Sequence, residues 1–291
     1  MSHIRIDRLQ RAARAGGYAV PHLLGGTTEM VIGHLRAAEA LRSPLAFGFA
    51  PEVFSMVPLE LALPMIVNAA ERATVPVATQ LEHGHDFNTI MGAIQLGVSS
   101  VMFDGSALSY EENVKQTSEI TRVAHAFGVA VEGELGAVGG SAVRGAEHAK
   151  SRLTDPETVV DFVSRTGVDS LAVSFGNVHG TYQALPELDY DRVRRICSLV
   201  DVPIVMHGGS GLTAEQYRAS VEAGISNIHF YTAIARRTWD EVSQNIAALR
   251  DTPVYHEVVG FTAEFFCENA RVVIEMLGSA GQADAVGVAP A

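Results

Sequence analysis

A (β/α)8 barrel is the fold this sequence predicts, and three observations predict it. Eight short apolar runs are spread along 291 residues, a length that suits one such domain. The runs are apolar on both faces, as parallel strands covered by helices must be. Between them lie amphipathic stretches with helix-start signals. A doubly wound open sheet is the nearest competitor. That fold expects a glycine fingerprint after its first strand, and Gly25-Gly26 does not form GxGxxG.

In chain order, the first strand is expected over 18–24 (YAVPHLL), and the apolar spacing of 28–41 suits the helix after it. Strands follow at 44–50 (PLAFGFA), 76–81 (PVATQL) and 100–105 (SVMFDG), the last leading into helical spacing over 110–127. The fifth strand is AVEGEL at 130–135. Residues 136–154 after it are glycine-rich and then polar, and read as a mobile loop over the barrel mouth. Asp155-Pro156-Glu157 opens the next helix with an N-cap and an N1 proline. The remaining strands are 170–176 (SLAVSFG), 203–209 (PIVMHGG) and 227–232 (NIHFYT), with Thr213 placed to cap LTAEQYRASVEAG. One domain spans 1–291, and the segment after about residue 278 reads as a partly disordered tail.

Composition narrows the function. The chain is 47% hydrophobic and 19% charged, with a formal net charge of −12, so no basic face is available for nucleic acid. Lys115 and Lys150 are its two lysines, and neither lies in a strand-like run, which leaves a Schiff-base mechanism without a candidate. Cys197 and Cys267 are widely spaced and read as weakly polar fillers in a reduced, cytoplasmic protein. No apolar stretch suits a signal peptide or a membrane span, so no membrane partner is expected. Trp239 reads as helix packing.

Three histidines carry the chemistry: His83 in QLEHGHDF, His179 in SFGNVHGTY and His207 in PIVMHGGSG. Each follows an apolar run and precedes a glycine, which puts an imidazole at a strand's carboxyl edge and turns the chain at once. Three such edges converging make a three-nitrogen metal site with an open position. Carboxylates stand at the same edges: Glu82, Asp104, Glu132 and Glu134. The turn Gly208-Gly209-Ser210-Gly211 offers backbone N–H groups to an anion, although a GGSG turn alone is weak evidence.

These segments together resemble the class II, metal-dependent ketose-bisphosphate aldolases. The likeness is carried by LEHG, SVMFDGSALSYEENVKQT, VAVEGELGAVGG, TGVDSLAVSFGNVHGTY, PELDYDRV, PIVMHGGSGL and AGISNIHF. The resemblance implies a barrel that forms homodimers or homotetramers and acts on a small keto-sugar or sugar phosphate. It implies one catalytic Zn2+ on His83, His179 and His207, with Asp104 and Glu134 lining a second or monovalent cation site. Gly180, Gly208, Gly209, Ser210 and Thr232 match phosphate-cradling positions, and His229 faces the same edge to meet substrate. Glu82 takes the place of the family's aspartate acid/base, one methylene longer.

The departures concern substrate. Gln183 stands where the family has a lysine, His229 where it has an asparagine, and Tyr231 where it has an aspartate. Leu24 and Ala50 replace polar positions after the first two strands. The expectation is therefore an aldehyde-lyase that cleaves a ketose phosphate, or an unphosphorylated keto-sugar or keto-acid, through an enediolate. Epimerisation or hydrolysis on the same site, and a metal-binding homologue without catalysis, remain as alternatives.

Overall fold

The structure, a computed structural model, describes residues 2–53, 55–140, 151–180, 182, 184–249 and 251–287. Its eight parallel strands close in chain order. They are β1 (Val20–Leu24), β2 (Leu45–Phe49), β3 (Val77–Gly84), β4 (Ser100–Phe103), β5 (Ala130–Leu135), β6 (Ser170–Val173), β7 (Ile204–Met206) and β8 (Ile225–Phe230). β8 returns to β1 with His22 opposite His229, so the sheet has no open edge. All eight expected strands are present. β3 runs on to Gly84, which puts Glu82 and His83 inside the strand rather than after it.

Helices α2 (Thr28–Ala40), α3 (Leu59–Arg72), α4 (Phe87–Gln95), α5 (Tyr110–Ala126), α6 (Pro156–Thr166), α7 (Tyr190–Leu199), α8 (Ala214–Ala223) and α9 (Thr232–Ala248) each follow a strand. Local chemistry starts them where expected. Asp155 accepts from the Glu157 N–H ahead of Pro156, and Thr213 forms a reciprocal capping box with Gln216. Two further helices, α1 (Ile6–Gly16) and α10 (Tyr255–Met276), lie outside the strand–helix repeat. α1 closes the amino end of the barrel: Ile6 and Leu9 pack with Val20 and with Ala46, Ala78 and Ala130, three alanines that leave depth for the plug. α10 lies along α2.

Alternate residues of each strand fill the interior. Above the alanines come Met102, Ala172 and Val205, with Gln80 and Glu132 buried among the polar interior groups. Carboxylates and imidazoles take over towards the carboxyl rim. The core is thus apolar at one end and polar at the other, which points the chemistry at one face.

Two expectations are corrected. The segment after 278 is not a free tail as far as Gly287. Ser279 shares a buried hydroxyl contact with Ser43, the Gly281 and Ala283 N–H groups bond to Leu41 and Arg42, and Val286 packs beneath the barrel. Trp239 is 68% exposed on α9 rather than packed. Of the expected loop at 136–154, residues 141–150 lie outside the described residues. Its stems pair with each other at Ala137 and Arg152, and Gly140 bridges to His179. Among the described residues no helix is long and apolar enough to cross a membrane.

Candidate active site

A cavity opens at the carboxyl rim, where the predicted residues gather. His83 leaves β3, His179 follows β6 and His207 follows β7, with ring centroids 4.9, 4.6 and 5.6 Å apart. One ligand atom from each of the three lies within 4.8 Å of the other two. Glu82 and His83 are adjacent in sequence yet both line the cavity, which a regular strand forbids because neighbours face opposite ways. The register of β3 against β4 shifts between Leu81 and Gly84, and His83 adopts φ 43°, the left-handed region. Such a conformation costs a non-glycine residue about 1–3 kcal/mol. Here it turns two consecutive side chains into one site.

The donors fit a divalent cation. His83 Nδ1 lies 2.9 Å from Asp104 Oδ2, and His207 Nε2 lies 2.8 Å from Glu132 Oε1, so each ring is held by a carboxylate through one nitrogen and keeps the other. The remaining nitrogen of His207, Nδ1, and Nε2 of His179 are buried without a partner. Buried polar atoms are rarely left so, and here they face the same space. The electrostatics agree. Burial opposes a charge on His83, but Asp104, Glu134 and Glu82 carry its pKa up to about 9. Burial, then the nearby Asp104, pushes Glu134 up to about 8. The His83 shift, and the smaller Asp104 contribution to that of Glu134, record nearby negative charge that a cation would neutralise. His179, by contrast, is held well below its usual value by burial and by the other two histidines. It is therefore neutral, the form that ligates.

Asp104 and Glu134 form, with His83, a further group of ligand atoms within 4.8 Å of one another. Asp104 orients His83, and Glu134 Oε1 accepts the Val138 N–H at 3.0 Å while its buried Oε2 has no hydrogen-bond partner.

Glu82 points to the opposite wall. Its Oε1 lies 3.1 Å from His22 Nε2 and 3.3 Å from His229 Nδ1, close contacts that are not well-directed hydrogen bonds. Burial would raise its pKa, yet His229 and His22 outweigh burial and hold it well below the carboxylate range. His22, His229 and His207 stack as a column, with centroids 3.7 and 3.8 Å apart and planes within 26° and 25°. Burial and the two flanking rings bring His229 down to about 3.

Gly180, Gly208, Ser210 and Thr232 all line the cavity. Gly208 has φ 66°, and a Cβ there would overlap the Val178 carbonyl, so glycine is needed for the turn to lie close against the β6 loop. Ser210 Oγ accepts from the Tyr231 and Ala233 N–H groups at the start of α9. Gly209 is the exception among the predicted cradle residues. It is off the cavity wall, and its N–H donates to the His229 carbonyl at 3.2 Å. Among the described lining residues there is neither lysine nor arginine, and Glu52 adds a carboxylate. Arg152 donates to the Ser106 and Gly136 carbonyls instead of entering the cavity. Gln183, Arg144, His148 and Lys150 lie outside the described residues. His125 pairs with Asp169 at 2.8 Å, away from the site.

Several contributors had no role that the sequence alone assigned. Glu132, fully buried, takes hydrogen bonds from Gln80 and Ser170 while holding His207, and the imidazole draws it down to about 2 against the push of burial. Asn177 donates to the His207 carbonyl. The Tyr182 hydroxyl donates to the Gly208 carbonyl and accepts the Val178 N–H, and Tyr217 bonds the Gly209 carbonyl. His22 carried the clearest unused signal: a histidine inside an apolar run, at an inward position of β1.

A closed eight-stranded barrel with titratable groups gathered at its carboxyl rim defines an enzyme of the (β/α)8 class. The chain belongs to the class II fructose-bisphosphate aldolase family, whose model matches residues 4–282, and is accordingly an aldehyde-lyase. It is 35% identical to the uncharacterized protein YdjI of Escherichia coli K12, over 92% of this chain and 94% of that one. It is 34% identical to a sulfofructosephosphate aldolase of Alkalicoccus urumqiensis, over 97% and 99% of the two chains. The crystal structure of the YdjI aldolase superposes with a TM-score of 0.84 at 32% identity, covering 97% of this chain and 99% of that one.

Proposed function

We propose that this enzyme cleaves a ketose phosphate reversibly, with a zinc ion held by His83, His179 and His207 and with Glu82 as acid/base. The observation that carries the reading is the set of unpartnered nitrogens on His179 and His207 facing His83, with the Glu82 carboxylate lining the same cavity from the opposite wall. A divalent cation bound there supplies Lewis-acid stabilisation of the charge left on the ketone fragment when the carbon–carbon bond breaks. Asp104 and Glu132 hold two of the imidazoles in the required orientation. Glu82, as carboxylate, accepts the proton of the hydroxyl at the bond being cleaved and returns it in the condensation direction. The Gly180, Gly208, Ser210 and Thr232 surface receives the phosphate through backbone N–H groups and hydroxyls.

The substrate carries one phosphate rather than two in this reading. Glu52, on the cavity lining, would repel a second dianion. The Alkalicoccus relative is named for a sulfo-sugar phosphate, which supports a ketose other than a simple bisphosphate. The test is a cleavage assay over ketose monophosphates, bisphosphates and free ketoses, run with and without chelator. Chelator-sensitive cleavage of a monophosphate is expected. Turnover that survives complete metal removal, or activity confined to free ketoses, would contradict it.

A further inference from the structure

Glu82 reaches across the barrel into a notch made by four neighbouring strands. β1 and β8 place His22 beside His229, β1 and β2 place Leu24 beside Gly48, and β2 and β3 place Gly48 beside Gln80. Glu82 is two residues beyond Gln80, on the same face of β3. A Cβ on Gly48 would overlap Glu82 Oε1 outright, and would come within 2.6 Å of its Cδ and 2.7 Å of His22 Nε2. The absence of a side chain at position 48 is therefore what admits the carboxylate. The two imidazoles close the notch around the buried Oε1, and the little exposure that Glu82 keeps opens into the cavity it lines.

We infer that Gly48, His22 and His229 form a socket that holds one oxygen of Glu82 and thereby presents the other to substrate. Gly48 and His22 are positioning residues. His22 is fully buried and does not line the cavity, so it acts through the groups it touches, Glu82 Oε1 and the stacked His229 ring. The same His22, Glu82 and His229 atoms lie within 4.8 Å of one another and invite comparison with a second metal site. Their geometry argues otherwise. Two imidazoles stacked 3.7 Å apart cannot both aim an in-plane lone pair at one ion, whereas a carboxylate oxygen can rest against both.

The inference rests on Glu82 being the acid/base, and the test separates the two claims. The full chain is compared as wild type, Gly48→Ala, Glu82→Asp and the double variant. The probe is the ketose phosphate of the panel above that the wild type cleaves fastest, and thermal midpoints are measured alongside. Gly48→Ala should lower kcat about 100-fold, the scale of displacing a reacting group by an ångström. It should also lower the midpoint by about 5 °C through overpacking. Glu82→Asp withdraws the carboxylate by one carbon, so the double variant should be no worse than Glu82→Asp alone, with most of the lost midpoint regained. His22→Ala should lower kcat roughly tenfold, leave KM within about twofold, and leave metal content unchanged. A double variant that falls by the product of the single losses, or melts as low as Gly48→Ala, would overturn the socket. So would loss of a metal equivalent in His22→Ala. If Glu82→Gln keeps full turnover, the acid/base reading fails whatever the midpoints show. If Glu82→Gln is inactive while Gly48→Ala behaves as wild type, the socket alone fails.

Discussion

On the β3, β6 and β7 side of the rim, each imidazole stands before a glycine at or beyond a strand's carboxyl end, and carboxylates hold two of the three: Asp104 on His83 and Glu132 on His207. On the β8, β1 and β2 side, the polar groups hold one another: His22 and His229 stack, and both rest against Glu82. The first half leaves buried nitrogens with nothing to bind and so calls for an ion. The second half also has buried nitrogens without a directed hydrogen bond, on His22 and His229, but those rings stack on each other and rest against Glu82. In the proposed function, Lewis-acid chemistry and proton transfer fall to opposite walls, with the cavity between them.

The largest effect should follow from breaking the ion-binding half. His179→Ala removes an uncommitted donor, and cleavage should fall by about a thousandfold or more with metal content. Full zinc occupancy in that variant, measured by elemental analysis, would disprove the ligand set. Breaking the other half at Glu82→Gln should lower kcat by roughly 10²–10⁴-fold while zinc stays bound. Zinc loss there would move Glu82 to the metal side of the comparison. Glu132→Gln sharpens the boundary: zinc affinity should drop about 10–100-fold, as expected when the partner of a ligating imidazole is altered. With zinc added to saturation, turnover should return to within a few-fold. The smallest effect concerns charge at the cavity edge. Glu52→Lys should shift preference towards bisphosphates by about tenfold, read as the ratio of kcat/KM values for a bisphosphate and a monophosphate. An unchanged ratio would remove Glu52 from substrate selection.

The two halves also differ in how far they could be read from sequence. Each of the three histidines proposed as ligands is announced locally, by an apolar run before it and a glycine after it. Asp104, Glu134 and Glu82 could be placed near the carboxyl edge from the apolar runs they sit in or follow, and so could the eight strands and the capped helix starts. His22 and Gly48 were not, because their meaning depends on which strands become neighbours when β8 closes on β1 and on where a side chain from β3 arrives. Glu132 was visible as a strand-end acid, but its pairing with His207 spans the barrel interior. Gly209 misled for the opposite reason: the GGSG turn looks uniformly available, and only the ladder to His229 shows that one of its N–H groups is already used. α1 escaped notice because it plugs the barrel floor rather than following a strand.

The division between an ion-binding wall and a proton-transfer wall is tested most directly by one titration. Zinc is returned stepwise to chelator-treated protein while cleavage of a ketose monophosphate is followed. Activity should rise linearly and reach its plateau at one equivalent per chain, and His83, His179 or His207 variants should give no such rise. Full activity before any zinc is added, or the same rise in all three variants, would contradict it.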